Sequence, residues 1–308
     1  MNLEGRIESR TARLSQRRRQ RRLAERRRRA QLRRRNLLMC GAIGALALGL
    51  VRGAAAGGGP APEEAVSSGG GADRAEVPLV RDFPGPVPIL MYHAISPAPA
   101  DTPYPDLFVP EAEFEDQMEW LAQQGFHGVT LDQVFSAWTD GEPIAENPVV
   151  ISFDDGLRSQ YVGARPILEQ LEWPAVLNLK VESIDQGEMT EAMVEELVAA
   201  GWEIDSHTIS HADVSDLDGE ELRAEVAGSR RELIERFGEP VDFFAYPAGA
   251  YDADAVEAVE AAGYLGAVTT DPGLASAEEP YTLKRLRVAG SDGAEGLEAM
   301  LSDAGSDG

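Results

Sequence analysis

Two short segments hold the side chains best suited to chemistry. Ile151-Ser152-Phe153-Asp154-Asp155-Gly156 delivers two adjacent carboxylates into a glycine turn, and Ser206-His207-Thr208-Ile209-Ser210-His211 sets two imidazoles four residues apart. The chain has four histidines, and two of them lie in that one hexapeptide. Asp155, His207 and His211 form a His-His-carboxylate set for one divalent ion with a position left open for water, and zinc suits such donors. Asp154, the spare carboxylate, points away from Asp155 if the strand geometry persists, and is the candidate base that takes a proton from that water. A divalent ion lowers the pKa of water and polarises a carbonyl, so the chemistry expected is hydrolysis of an amide or ester. Taken singly, Asp-Asp-Gly is an ordinary solvated turn and His-x-x-x-His a coincidence of a helix face. Their joint occurrence at strand ends is what favours a site.

Groups so far apart in sequence need a frame to meet. Val87–Tyr92, Val149–Phe153, Ala175–Val181, Trp202–Ser206, Val241–Tyr246, Leu265–Thr269 and Leu283–Val288 read as strands. Between them, 110–125, 161–172, 191–200, 219–237 and 253–262 read as helices, several opened by proline or closed by glycine. This alternation predicts parallel strands with helical crossovers, and seven or eight units over roughly 220 residues suit a barrel better than an open sheet. Asp154, His207 and Pro247 all fall just past the carboxyl ends of predicted strands, where barrel enzymes gather their reactive groups. His127, in Gly125-Phe126-His127-Gly128, reads as a surface loop residue without a role.

Charge divides the chain. Residues 1–52 carry 16 Arg against 3 Glu, whereas the remainder carries 12 Lys+Arg against 50 Asp+Glu. A body this acidic repels nucleic acid and anionic membrane surface, and its self-repulsion suits a salt-adapted protein. The single Cys40 excludes a disulfide framework and a multi-cysteine metal site. An arginine-rich segment, 1–36, precedes an apolar run within 37–52 that is short for a bilayer span and suited to a signal-peptide core or a short anchor. The flanking arginines place the amino terminus in the cytoplasm and the body outside. Arg34-Arg35-Asn36-Leu37-Leu38 resembles a twin-arginine export signal, with Ala54-Ala55-Ala56 a small-residue cleavage site; cleavage and retention both stay open. Residues 53–78, rich in Gly, Ala, Pro and Glu, read as a flexible linker, and 79–302 as the folded body.

Phe153-Asp154-Asp155-Gly156 and the 206–211 hexapeptide resemble the first two motifs of the polysaccharide deacetylases with a NodB-homology domain. Leu90-Met91-Tyr92-His93-Ala94-Ile95, Phe244-Ala245-Tyr246-Pro247-Ala248-Gly249 and Leu283-Lys284-Arg285-Leu286-Arg287-Val288 are similar to segments of one branch, which includes deacetylases of poly-β-1,6-N-acetylglucosamine. The resemblance runs from about Val87 to Val288. It implies a distorted (β/α) barrel of about seven strands and metal-dependent removal of acetyl groups from a polysaccharide. It implies Asp154 as base, Asp155, His207 and His211 as metal ligands, the Ala248 backbone N–H as oxyanion donor, and His93 as the acid that protonates the leaving amine. His93 is equally readable as a hydrogen-bonded residue at the core edge.

Two departures from the family pattern carry expectations of their own. Ala245 stands where much of the family has an arginine that steadies the base, so Arg285 is expected to reach in from a later strand. Ala248 replaces an aromatic, so grip on the sugar must come from elsewhere, with Tyr246, Pro247, Tyr251 and Tyr104 as candidates. The same site with an oxygen leaving group would be an acetylxylan-type esterase, and without turnover a carbohydrate-binding protein. The sequence leaves the glycan, the metal and the oligomeric state open.

Overall fold

A computed structural model describes residues 77–306. The arginine-rich segment, the apolar run and almost all of the linker expected from the sequence lie outside the described residues. Among the described residues no helix is long and apolar enough to cross a membrane.

Seven parallel strands close on themselves: β1 (Ile89–Tyr92), β2 (Pro148–Asp154), β3 (Val176–Leu179), β4 (Glu203–Ser206), β5 (Phe243–Ala245), β6 (Gly266–Pro272) and β7 (Leu283–Arg287). Each pairs with its sequence neighbour, and β7 returns to β1 with Leu286 opposite Leu90. The distortion lies beside β2. Val150 pairs with Ile89 on one side and with Val129 on the other, so a short strand, His127–Val129, fills the lower half of the edge that β3 joins only from Ser152 onward. His127 is thus a strand residue, contrary to the loop expected for it.

The two-residue alternation of a strand sorts side chains into two layers. Ile89, Val150, Val176, Phe243, Ala245, Val268 and Leu283 point inward to form the barrel core. Leu90, Tyr92, Ile151, Phe153, Leu177, Ile204, Phe244 and Tyr246 point outward beneath the helices. In that outer layer Trp202 stacks on Phe153 at 5.2 Å and Phe114 meets Tyr92 edge-on at 5.1 Å. The helix carrying Phe114, Glu111–Gln123, matches the expected one to within two residues.

A helix that the sequence reading lacked, Leu131–Asp140, closes the bottom of the barrel with Leu131, Val134 and Ala137. Thr130 and Gln133 cap it reciprocally, and Gly141 ends it in a left-handed conformation. Glu203 reaches from β4 to the start of this helix, where its Oε2 accepts the Asp132 N–H at 2.9 Å. Burial first, and then the Asp205 and Asp132 carboxylates, raise the Glu203 carboxyl well above its ordinary value near 4.5. Asp205 beside it is pushed up to about 7 by burial. A raised folded-state value contributes stability that is full below the unfolded value and is lost as pH rises through the folded one. Glu203→Gln keeps an acceptor for Asp132 and removes the titration. Its unfolding free energy relative to the native chain should therefore climb as pH rises from about 4.5. Denaturant unfolding at pH 5 and pH 8 checks this, and an equal difference at both would count against it.

Two expected helices are interrupted. Gly219–Phe237 splits into Gly219–Arg223 and Ser229–Phe237 around a π turn, Ala224–Gly228. The helix expected at 161–172 opens with a second π turn, Gln160–Ala164, before Arg165–Leu171. A last helix, Gly293–Ser306, continues past residue 302.

Candidate metal centre

Asp154 ends β2 with its side chain inward, as the pleat requires. Strand geometry then stops: Asp155 takes φ 79° and Gly156 φ 71°. This turn, rather than the strand alternation expected, swings Asp155 over the barrel mouth. A Cβ on Gly156 would lie 2.3 Å from Leu179 Cδ1, so a larger residue would have to displace that buried side chain.

The 206–211 segment is bent as sharply. Thr208 and His211 have φ 66° and 67°. Thr208 Oγ1 accepts the His211 N–H at 2.8 Å, and the Val181 and Glu182 N–H groups donate to the carbonyls of Thr208 and Ile209. The result brings His207 Nε2 to 3.6 Å and His211 Nε2 to 3.5 Å from Asp155 Oδ1. All three donor atoms lie within 4.8 Å of one another. Their chemistry fits a divalent ion. The carbonyl of Ala245 can only accept, so His207 Nδ1, 2.8 Å away, carries the ring proton and leaves Nε2 free as a ligand. Burial and the neighbouring His207 lower the pKa of His211, which favours its neutral, ligating form. His207 is buried, whereas Asp155 and His211 are partly exposed, so the site opens to solvent on one side.

Asp154 stands apart from this triad. Burial pushes its pKa upward, but Arg285 outweighs that and holds the carboxyl well below the usual carboxylate range. The fully buried guanidinium grips both oxygens, Nη1 to Oδ1 at 2.8 Å and Nη2 to Oδ2 at 2.7 Å, while its Nε donates to the Thr269 carbonyl. Arg285, on β7, thus reaches Asp154 from a strand late in the chain. His93 Nε2 lies 3.9 Å from Asp154 Oδ2. Burial lowers the His93 pKa despite the opposing pull of Asp154 and Asp155.

Ala248 is exposed on the mouth with φ 53°, in the turn Pro247–Gly249. Gly249 follows at φ 74°, where a Cβ would sit 1.9 Å from Thr270 Oγ1. Two of the expected sugar contacts are corrected here. The pleat turns Tyr246 outward under the helices, where it is fully buried with its hydroxyl on the Tyr281 carbonyl. Pro247 is buried too, and sets the turn rather than meeting a ligand. Tyr251 keeps partial exposure, with its hydroxyl donating to Asp271 at 2.9 Å, and Tyr104 is exposed.

Both π turns serve the site, and neither of their key residues was singled out from the sequence. Gln160, fully buried, donates from Nε2 to the backbone carbonyls of His93 at 3.0 Å and Asp154 at 2.6 Å, tying those two loops together. Glu225 accepts from the N–H groups of Ile209 (2.8 Å) and Ser210 (3.1 Å) and from the Ser210 hydroxyl (2.8 Å). π bulges concentrate at functional sites because the extra residue re-aims a side chain. Glu225→Ala should loosen the histidine loop and weaken metal binding by roughly 10- to 100-fold. Competition titration with a chromogenic chelator reads this directly, and affinity unchanged from the native chain would remove Glu225 from the site.

The comparisons agree with this geometry. The sequence model of the polysaccharide deacetylase family matches residues 141–267. YxkH of Bacillus subtilis (strain 168), a candidate polysaccharide deacetylase, is 34% identical over 208 residues, spanning 67% of this chain and 72% of that one. The Streptococcus pyogenes deacetylase PplD, solved with acetate, superposes with a TM-score of 0.66 at 28% identity, over 71% of this chain and 99% of that structure. The poly-β-1,6-N-acetyl-D-glucosamine N-deacetylase of Escherichia coli (strain K12) is 33% identical over 87 residues, only 28% of this chain and 13% of that protein. Barrel, donor set and relatives together define a metal-dependent hydrolase. The chain belongs to the polysaccharide deacetylase family, whose substrates are acetylated polysaccharides.

Proposed function

We propose that this protein removes N-acetyl groups from an N-acetylglucosamine-containing polysaccharide at or outside the cell surface, with zinc held by Asp155, His207 and His211. The observation that carries the reading is the pairing of that donor triad with a separate, buried carboxylate locked by Arg285. A structural ion has no use for the second feature. A divalent ion bound there supplies a polarised carbonyl and a more acidic water.

The chain's own groups do the rest. Asp154 takes a proton from the attacking water at Oδ2, the oxygen facing His93. The Ala248 N–H donates to the oxyanion as the water oxygen bonds to the acetyl carbon. The carbon–nitrogen bond then breaks, the amine takes a proton from His93, and acetate leaves. Because burial favours neutral His93 at rest, the proton it delivers comes through Asp154, which is a poor resting place for it. Tyr251 and Tyr104, the two candidate tyrosines that keep exposure, are the groups proposed to hold the sugar.

The poly-β-1,6-N-acetylglucosamine branch is favoured by the His93 segment and by the short match to the E. coli enzyme. Export through residues 1–52, as a cleaved signal or a retained anchor, and salt adaptation of the acidic body complete the proposal, with no nucleic-acid partner. The test is acetate release by the full chain in high salt. The panel comprises poly-β-1,6-N-acetylglucosamine, chitin oligomers, peptidoglycan and acetylxylan, each with zinc and with chelator. Release from an N-acetylated glycan that chelator abolishes supports the reading. Release from acetylxylan alone replaces it with an O-deacetylase.

A further inference from the structure

Arg285 is not the only group on the carboxylate read above as the base. Asn178 lies opposite Asp154 in the β2–β3 register, is fully buried, and donates from Nδ2 to Asp154 Oδ1 at 2.7 Å. Its amide can be aimed only one way, because the reverse would set its own oxygen against a carboxylate oxygen at that distance. Its Oδ1 meets no donor among the described residues, so the carboxylate is the amide's one side-chain partner.

The count of donors on Asp154 is unequal as a result. Oδ1 receives Arg285 Nη1 and Asn178 Nδ2, whereas Oδ2 receives Arg285 Nη2 alone. A carboxylate oxygen offers two in-plane lone pairs, so Oδ1 is saturated and Oδ2 keeps one free. Oδ2 is also the oxygen 3.9 Å from His93. The guanidinium fork grips both oxygens alike and does not by itself distinguish them. We infer that Asn178 is a positioning residue for the reaction: it selects Oδ2 of Asp154 as the proton acceptor and fixes the carboxylate against rotation. This rests on the reading of Asp154 as the base.

The experiment is steady-state kinetics of Asn178→Leu, with Asn178→Ala as a second variant that differs in volume. Each is measured on the active glycan with metal content and melting temperature recorded. Leucine suits the neighbouring apolar interior and lacks the donor. The expected result is a fall in kcat of roughly 10- to 100-fold with KM changed by less than about twofold and bound metal unchanged. Placed in an Asp154→Asn background, Asn178→Leu should add almost nothing, as two residues acting through one group are not additive. A folded variant that keeps native kcat overturns the inference, as does a loss of kcat that tracks loss of metal. If Asp154→Asn itself is fully active, the reading of the base fails; if it is inactive while Asn178→Leu and Asn178→Ala are native-like, only the positioning role fails.

Discussion

Asp154→Asn should leave a folded, metal-loaded protein whose acetate release is lower by roughly 10²- to 10⁴-fold, the span that a general base contributes. The amide keeps the shape of the carboxylate and an oxygen for Arg285 and Asn178, but it has no lone pair that can accept the water's proton at neutral pH. The loss should fall on kcat, because the side chain lies beneath the ligand triad rather than among the groups that meet the sugar. Metal content measured on the same preparation separates this from damage to Asp155, His207 or His211. A variant that lost its ion along with its activity would show that the two carboxylates act as one binding unit, and the division of roles would be wrong.

Arg285→Met should cost about 3–5 kcal/mol of stability, because it strands a buried carboxylate without a counter-charge. For a folded body of this size each kcal/mol moves the melting temperature by roughly 2–4 °C, so the drop should be plain in a calorimetric scan. Activity should fall as well, since the main group holding the Asp154 pKa down is gone and its two oxygens lose their shared anchor. The informative companion is Arg285→Met with Asp154→Leu. Removing both charges leaves no stranded ion, and well-packed replacements of buried ion pairs are often neutral or better for stability, with the Asn178 amide, which loses its acceptor, as the remaining cost. The double variant should therefore recover part of the lost melting temperature with none of the activity. No recovery would place the role of Arg285 in its bond to the Thr269 carbonyl rather than in the ion pair.

Much of this arrangement was legible in the sequence, and the residues say why. Strands such as Val149–Phe153 announce themselves by apolar runs bounded by turn formers, and the closing glycines after several helices mark their ends. The ligand triad was visible because histidines are scarce here and two of them share a hexapeptide. Other parts depended on information that spacing does not carry. The π turns leave the helical apolar pattern intact while shifting one residue out of phase, so Gln160 and Glu225 look like ordinary surface positions. Tyr246 follows a buried strand and borders the mouth in sequence, yet the pleat sends it to the opposite side from Ala245. Asn178 sits in an apolar strand whose inward face is known only once β2 lies beside it. The helix at Leu131–Asp140 was findable: Thr130-Leu131-Asp132-Gln133 is a capping box, and Gly141 closes the segment.

The return of β7 to β1 has a consequence for how the protein comes to life. Asp155, His207 and His211 follow β2 and β4, which flank β3, so the ion's ligands come from one local part of the ring. Arg285 is 131 residues from Asp154 and reaches it only when the last strand closes the ring. Long-range closure of this kind is slow relative to local pairing. The anchoring of the base thus depends on a pairing far more distant in sequence than the one that brings the ligands together. An opening confined to the β7–β1 seam would accordingly separate Arg285 from Asp154 while leaving the ligand-bearing strands paired.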